Sequence, residues 1–272
     1  MTKFNYVSLF SGIGGFEQAL NKLGGHCVMA SEIDKFAEQA YQTLYGHATV
    51  GDITKVKAEE VPDHDVLVAG IPCQAFSVAG KRGGFNEARG TLFFDVARIA
   101  KEKQPKAVWI ENVKGLISHD SGRTLDTIVK TLNDIGYRVD FDLLNSKYFG
   151  VAQNRERIFI VAIREDLVAN EPWRIDAKDK TIVPKGKRRI SGYDDVKTFN
   201  FDWPAQEEVT TRLCDILEPD VDEKYYLSEE KTAALVAQLG GGGHLEPKIA
   251  EEQVPKWIPK PDGVNRTLRS GG

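Results

Sequence analysis

Cysteine is scarce: Cys27, Cys73 and Cys214 are the only three in 272 residues, and no two stand in CxxC spacing. An odd number at these separations excludes a disulfide framework and offers no zinc ligand set, so a reducing compartment is expected. No run approaches the roughly 18 apolar residues of a membrane span, and the start MTKFNYVSLF lacks a basic segment followed by a long apolar one. The expectation is a soluble, cytoplasmic chain with no membrane partner. A positive excess is missing too, because 36 Lys+Arg stand against 40 Asp+Glu for a formal net charge of −4. Any contact with nucleic acid must then rest on a local basic face rather than on the field of the whole molecule. Internal repeats are absent, and so is the GxGxxG fingerprint of dinucleotide enzymes.

What is present is enough apolar material for a core, 41% of residues, in a length that suits one large α/β domain with a smaller appendage. Apolar strand-like runs at 6–10, 27–31, 66–70, 107–111, 138–144 and 158–163 alternate with stretches of helical period. Phe16, Ala19, Leu20 and Leu23 recur at i, i+3, i+4 and i+7 before Gly24. Phe36 to Leu44 repeats the pattern before Gly46, and Leu125 to Ile135 does so before Gly136. This alternation predicts a doubly wound, mostly parallel α/β sheet of Rossmann-like type, covered on both faces. After Arg164 the regularity fades, which divides the chain into 1–165 and 166–272. Ser228 to Leu239 reads as one further helix, and Gly240 to Gly243 break the chain.

The chemistry-bearing residues fall where strands end. Phe10-Ser11-Gly12-Ile13-Gly14-Gly15 joins the first strand to the first helix, where glycines allow a ligand to approach the backbone. Glu32 follows the second strand, the place from which a carboxylate grips a ribose diol in such sheets, and Asp52 falls near the third. Pro72-Cys73-Gln74 ends a strongly apolar strand. Most free cysteines are core fillers, but one at this open edge can be a nucleophile. From Val78 to Gly90 the chain is glycine-rich and cationic, with Lys81, Arg82 and Arg89, and reads as a closing loop with phosphate-binding side chains. Glu111-Asn112-Val113 brings another carboxylate to the same edge. In Gln153-Asn154-Arg155-Glu156-Arg157, alternation points both arginines the same way.

Phe10 to Gly15, Pro72-Cys73-Gln74, Gly90-Thr91-Leu92-Phe93-Phe94-Asp95, Glu111-Asn112-Val113 and Gln153-x-Arg155-x-Arg157, in this order, resemble the motifs of the cytosine-5 DNA methyltransferases over roughly residues 4–165. The resemblance implies methyl transfer from S-adenosyl-L-methionine to C5 of a cytosine flipped out of duplex DNA. Cys73 is then the nucleophile at C6, Glu111 the proton donor or hydrogen-bond partner at N3 and the amino group, and Arg157 the residue that orients Glu111. Arg155 holds the cytosine O2 or the thiolate environment. Phe10, Gly12 and Gly14 contact the cofactor, Glu32 its ribose hydroxyls, Ile33 the adenine face and Asp52 the adenine amino group, with Ile53, Pro72 and Leu92 in the same pocket. Gln74 and Ser77 lie near the space the base vacates, and Lys81, Arg82 and Arg89 belong with them as DNA contacts.

On the same resemblance, 1–165 is the catalytic and cofactor domain and 166–272 a smaller target-recognition region, with a return toward the catalytic domain starting near 264–272. Lys185, Lys187, Arg188 and Arg189 either contact phosphates there or form a solvated loop. Family members carry a late segment resembling RxLTPxE and a final helix opening GNS, and neither is found here. The expectation is a split enzyme whose second polypeptide supplies the closing helix, or a truncated reading frame. The implied setting is restriction–modification in a bacterium or phage. An RNA cytosine-5 methyltransferase, a non-catalytic DNA-binding remnant and a dinucleotide oxidoreductase are the competing readings.

Overall fold

The structure is a computed structural model that describes residues 3–72 and 92–218, with short pieces at 222, 227–228, 230–231, 234 and 265–266. By Cα proximity the chain divides into two compact units, Met1–Leu144 with Arg157–Pro204, and Asn145–Glu156 with Ala205–Gly272. Residues 166–204 thus belong with the first unit rather than with a region that begins at 166. The reason is packing: Trp173 and Ile190 are buried in the same core as the sheet.

In the first unit the order is β1 (Phe4–Leu9), α1 (Gly15–Lys22), β2 (Gly25–Ser31), α2 (Lys35–Tyr45), β3 (Val66–Gly70), α3 (Leu92–Lys103), β4 (Ala107–Val113), α4 (Arg123–Asp134) and β5 (Tyr137–Asn145). After β6 (Gln153–Asn154), which belongs to the second unit, come β7 (Glu156–Arg164) and α5 (Ile182–Ile190). The six-stranded sheet runs β2-β1-β3-β4-β7-β5. β1 pairs parallel with β2 and β3, β3 pairs parallel with β4, and β7 lies antiparallel on β4. The chain goes from β1 outward to β2, then crosses to β3 on the other side of β1. That reversal opens a crevice at the carboxyl ends of β1 and β3, where ligands bind in open α/β sheets.

Local chemistry sets the helix ends. Asp34 caps α2, its carboxylate accepting from the backbone N–H groups of Phe36 and Ala37 at 3.0 and 2.8 Å. Gly46, at φ +75°, closes it in the left-handed conformation. One sheet face carries Val7, Leu9, Leu67, Ala69, Val108, Ile110, Ile158 and Ile160, all buried. α3 supplies Phe93, Val96, Ile99 and Ala100 to this core and α4 supplies Leu125, Ile128, Val129 and Leu132.

The basic run Lys185 to Arg189 turns out to be most of α5, in the first unit. Lys187 is buried and pairs with Asp140 on β5 at 2.6 Å. Arg189 reaches Asp126 on α4 at 2.8 Å and the Gly122 carbonyl at 3.1 Å. Arg188 donates to the carbonyls of Asp176 and Asp179. Of the four cations, Lys185 and Arg188 are exposed with no ion pair among the described residues. Asp140 also accepts from Phe201 N and from the Trp203 indole at 2.9 and 2.8 Å, so the pair sits in a satisfied network.

On the opposite sheet face α1 buries a carboxyl. Glu17 is fully buried, and neither its oxygens nor the Ser8 hydroxyl has a hydrogen-bond partner among the described residues. Burial pushes its pKa above the ordinary glutamate value.

In the second unit Asn145 organises a tight turn. Its N–H donates to Gln206 Oε1 at 2.7 Å, its Nδ2 to Asn154 Oδ1 at 2.6 Å, and its Oδ1 accepts from Arg155 N at 3.1 Å. β6 pairs parallel with β8 (Asn265–Arg266). Among the described residues no helix is long and apolar enough to cross a membrane. The helix read over 228–239 lies mostly outside the described residues.

Two stability measurements check this packing. Replacing Lys187 by Met strands a buried carboxylate and should cost about 3–5 kcal/mol in urea unfolding, whereas Lys185→Ala should change stability by less than about 0.5 kcal/mol. For Glu17 the raised folded-state pKa means that the native state holds its proton when the unfolded chain has released it. Stability is therefore full below the ordinary glutamate pKa and is lost as pH rises toward the folded value. Glu17→Gln should accordingly be more stable than the parent at about pH 8 and indistinguishable from it at about pH 3, read from thermal melts at both.

Candidate active site

The turn after β1 is built to stay open. Phe10 adopts φ +55°, a left-handed conformation that costs a non-glycine residue about 1–3 kcal/mol. It is held there because its N–H donates to the buried Ser31 hydroxyl at 3.3 Å, while Ser11 N donates to the Ser31 carbonyl at 2.9 Å. Gly14, at φ +90°, lies under Tyr45. The Tyr45 hydroxyl donates to the Gly14 carbonyl at 2.5 Å, and a Cβ at Gly14 would overlap the tyrosine ring. Only glycine fits both the dihedral and the contact.

Glu32, just past β2, turns back onto this loop. Its carboxylate accepts from Gly12 N at 2.7 Å and from Ile33 N and Asp34 N at 2.8 Å each. Next to it the switch-point crevice holds a pocket of about 180 Å³, lined by Phe10, Ser31, Glu32, Ile33, Gly51, Asp52, Ile53, Gly70, Pro72 and Leu92. Seven of the nine residues assigned to a cofactor on sequence grounds converge here. Gly12 and Gly14 are not in the lining: Gly12 acts through its N–H on Glu32, and Gly14 by its fit under Tyr45. Ile33 is 72% exposed, an apolar side chain at the rim. Asp52 caps a short 3-10 turn, its Oδ1 accepting from Thr54 N at 3.1 Å and from the Thr54 hydroxyl at 2.7 Å. These bonds from Thr54 lower its pKa, so it is an acceptor across the physiological range.

The other carboxylate is placed by register. Glu111 on β4 pairs in the sheet with Gly70 on one side and Phe159 on the other, and Val113 pairs with Arg157. Arg157 is therefore the diagonal same-face neighbour of Glu111. Its Nε lies 2.8 Å from Glu111 Oε1, with both side chains mostly covered. On the far side Glu111 Oε2 looks over Gly70, about 3.9 Å from where a Cβ would stand. The carboxylate thus reaches the edge of the same pocket.

Asn112 points through the sheet the other way and is 2% exposed. Its Nδ2 donates to the Ile71 carbonyl at 2.9 Å and its Oδ1 accepts from Val113 N. It ties the end of β4 to the residue before Pro72, a role its place in the motif did not reveal. Arg155 lies in the second unit, where its N–H bonds Asn145. Cys73, Gln74, Ser77, Lys81, Arg82 and Arg89 lie outside the described residues.

A family model described as C-5 cytosine-specific DNA methylase matches residues 4–243. The chain belongs to that family. The orphan methyltransferase M.SPRI of Bacillus phage SPR is 48% identical over 270 residues, covering 97% of this chain and 61% of that protein. M.SPBetaI of Bacillus phage SPbeta, also an orphan methyltransferase, is 41% identical, covering 93% of this chain and 75% of that one. The chain spans 61% of the length of the first of these relatives, and nothing in them supports a second polypeptide. Among solved structures, the Dnmt2 methyltransferase of S. pombe matches 97% of this chain and 70% of its own with a TM-score of 0.64. At 22% identity that likeness speaks for the fold alone.

Removing the buried donor tests the tie between β4 and Ile71. Asn112→Ala leaves a buried carbonyl unpaired and should cost about 1–3 kcal/mol in urea unfolding.

Proposed function

We propose that this chain is a DNA cytosine-5 methyltransferase that uses S-adenosyl-L-methionine and acts on a cytosine flipped out of a specific duplex sequence. The observation that carries the reading is the Glu111 carboxylate, braced by Arg157 and facing Gly70 at the rim of the switch-point pocket. The pocket fits the adenosyl group in chemistry: a pinned carboxylate for a diol, an exposed isoleucine for a ring face and an ionised aspartate for an amino group. When bound, the cofactor supplies an electrophilic methyl group.

The protein's own residues do the rest. Cytosine C5 is a weak nucleophile until a thiolate adds at C6, and Cys73, three residues past Gly70, is assigned that addition. Electron density then moves toward N3, where Glu111 donates a proton or hydrogen bond, and Arg157 keeps its carboxyl directed there. C5 would then attack the methyl group that the cofactor supplies, the methyl–sulfur bond breaking with S-adenosylhomocysteine as the leaving group. Loss of the C5 proton and expulsion of the Cys73 thiolate restore the ring. Arg155 is assigned to the cytosine O2, and Gln74, Ser77, Lys81, Arg82 and Arg89 to the DNA around the vacated space. Of the region 166–272, the part that belongs to the second unit, Ala205–Gly272, is proposed to hold the target-recognition function. The setting proposed is DNA modification, including restriction–modification, in the cytoplasm of a bacterium or phage-infected cell, in keeping with the phage origin of the relatives.

Duplex DNA bearing 5-fluorocytosine tests the chemistry, because fluorine at C5 blocks the final elimination. A covalent protein–DNA adduct is expected with the parent and none with Cys73→Ser. Glu111→Gln should slow methyl transfer by about 10²-fold or more. No adduct with duplex DNA, or transfer to tRNA in preference to DNA, would overturn the proposal.

A further inference from the structure

Asp52 and Ile53 belong to a long connection between α2 and β3 that contains no helix or strand beyond two short 3-10 turns. What holds this connection is α3. The Arg98 guanidinium bridges two partners: its Nε donates to Asp95 Oδ1 at 2.8 Å, one turn earlier on the same helix, and its second terminal nitrogen donates to the Ile53 carbonyl at 2.6 Å. The pair is largely covered, with Arg98 at 32% and Asp95 at 18% side-chain exposure. A second pin lies at the last residue of α3, where Lys103 Nζ donates to the Glu59 carbonyl at 3.1 Å and pairs with Asp63 at 3.3 Å. Arg98 itself is not part of the pocket lining.

The Ile53 carbonyl and the Thr54 N–H are the two ends of one planar peptide, and that N–H donates to Asp52 Oδ1, so turning the carbonyl turns the donor that holds the Asp52 carboxylate. Thr54 fixes that carboxylate relative to its own turn, while Arg98 fixes the turn relative to the rest of the pocket. The same helix starts with Leu92, which lines the pocket, so the apolar wall and the aspartate are both referred to α3. A lysine could neutralise Asp95, but a single ammonium at the end of a flexible stem lacks the planar fork that reaches both acceptors in fixed geometry.

From this we infer that Arg98 is a specificity-determining positioning residue, which sets the Asp52 carboxylate to read the exocyclic amino group of the purine. The inference rests on the proposed role of Asp52 at the adenine. It assigns the discrimination between an amino and an oxo purine to a guanidinium that never touches the ligand.

Isothermal titration of the full chain with S-adenosylhomocysteine and with S-inosylhomocysteine separates this role from plain structural support. A 6-oxo group presents an acceptor to the Asp52 carboxylate, so the parent should prefer the adenosyl compound. In Arg98→Met the adenosyl affinity should fall about tenfold while the inosyl affinity stays within about twofold, so that the preference collapses. Lys103→Met, which removes the other pin on the same connection, should leave the ratio unchanged. Should Arg98→Met fail to fold, Arg98→Lys carries the test with the same loss of ratio. Binding of both compounds with a parental ratio in the Arg98 variants, or an equal loss of ratio in Lys103→Met, overturns this inference alone. A parent that binds neither compound overturns the cofactor reading and this inference together.

Discussion

Strand β7 runs against the direction of the strand it pairs with, β4, and the candidate catalytic carboxylate depends on that reversal. In the antiparallel register Val113 faces Arg157 and Glu111 faces Phe159, which puts a guanidinium one diagonal step from Glu111 on the same face. A parallel strand would enter from the other end and bring Arg164, not Arg157, toward the carboxyl end of β4. The edge where β1, β3 and β4 terminate would then hold an acid with no brace. The pocket beside it follows from the other topological fact, the reversal of strand order across β1, so two features of one sheet bring a carboxylate and a crevice of about 180 Å³ together.

Much of the first unit was legible because buried parallel strands and amphipathic helices leave periodic traces. The boundaries of all six strands lie no more than two residues from those of the apolar runs that marked them. Periodicity carries no direction, however, so the antiparallel sense of β7 could be learned only from its partner. α3 is not among the helices read from the sequence, although Phe93, Val96, Ala97 and Ala100 keep the helical spacing. The cationic run at 185–189 was the larger misreading. Its spacing held no sign that Lys187 and Arg189 answer Asp140 and Asp126, acids some 50–60 residues earlier on other elements.

The candidate site shows the same division. Residues at strand ends, such as Glu32 and Glu111, are placed by topology alone, and a sequence that reveals the strands reveals them. Asn112, Tyr45 and Arg98 act through carbonyls of residues distant in the chain, Ile71, Gly14 and Ile53, and no local pattern encodes a backbone acceptor. Arg155 and Arg157 make the point in reverse. Two residues apart and alike in chemistry, they fall on opposite sides of the boundary between the compact units.

Glu32 is the best-anchored of these side chains. A carboxylate has about four good acceptor positions, and three here are taken by the amides of Gly12, Ile33 and Asp34. A partner arriving at the remaining position meets an acid whose rotamers are already frozen, so the ordering cost was met on folding and not on binding. The same bonds make the glycine turn and the acid mechanically one part. A displacement of the turn at Gly12 carries the carboxylate with it, and an aspartate, one methylene shorter, would have to let go of one side to hold the other.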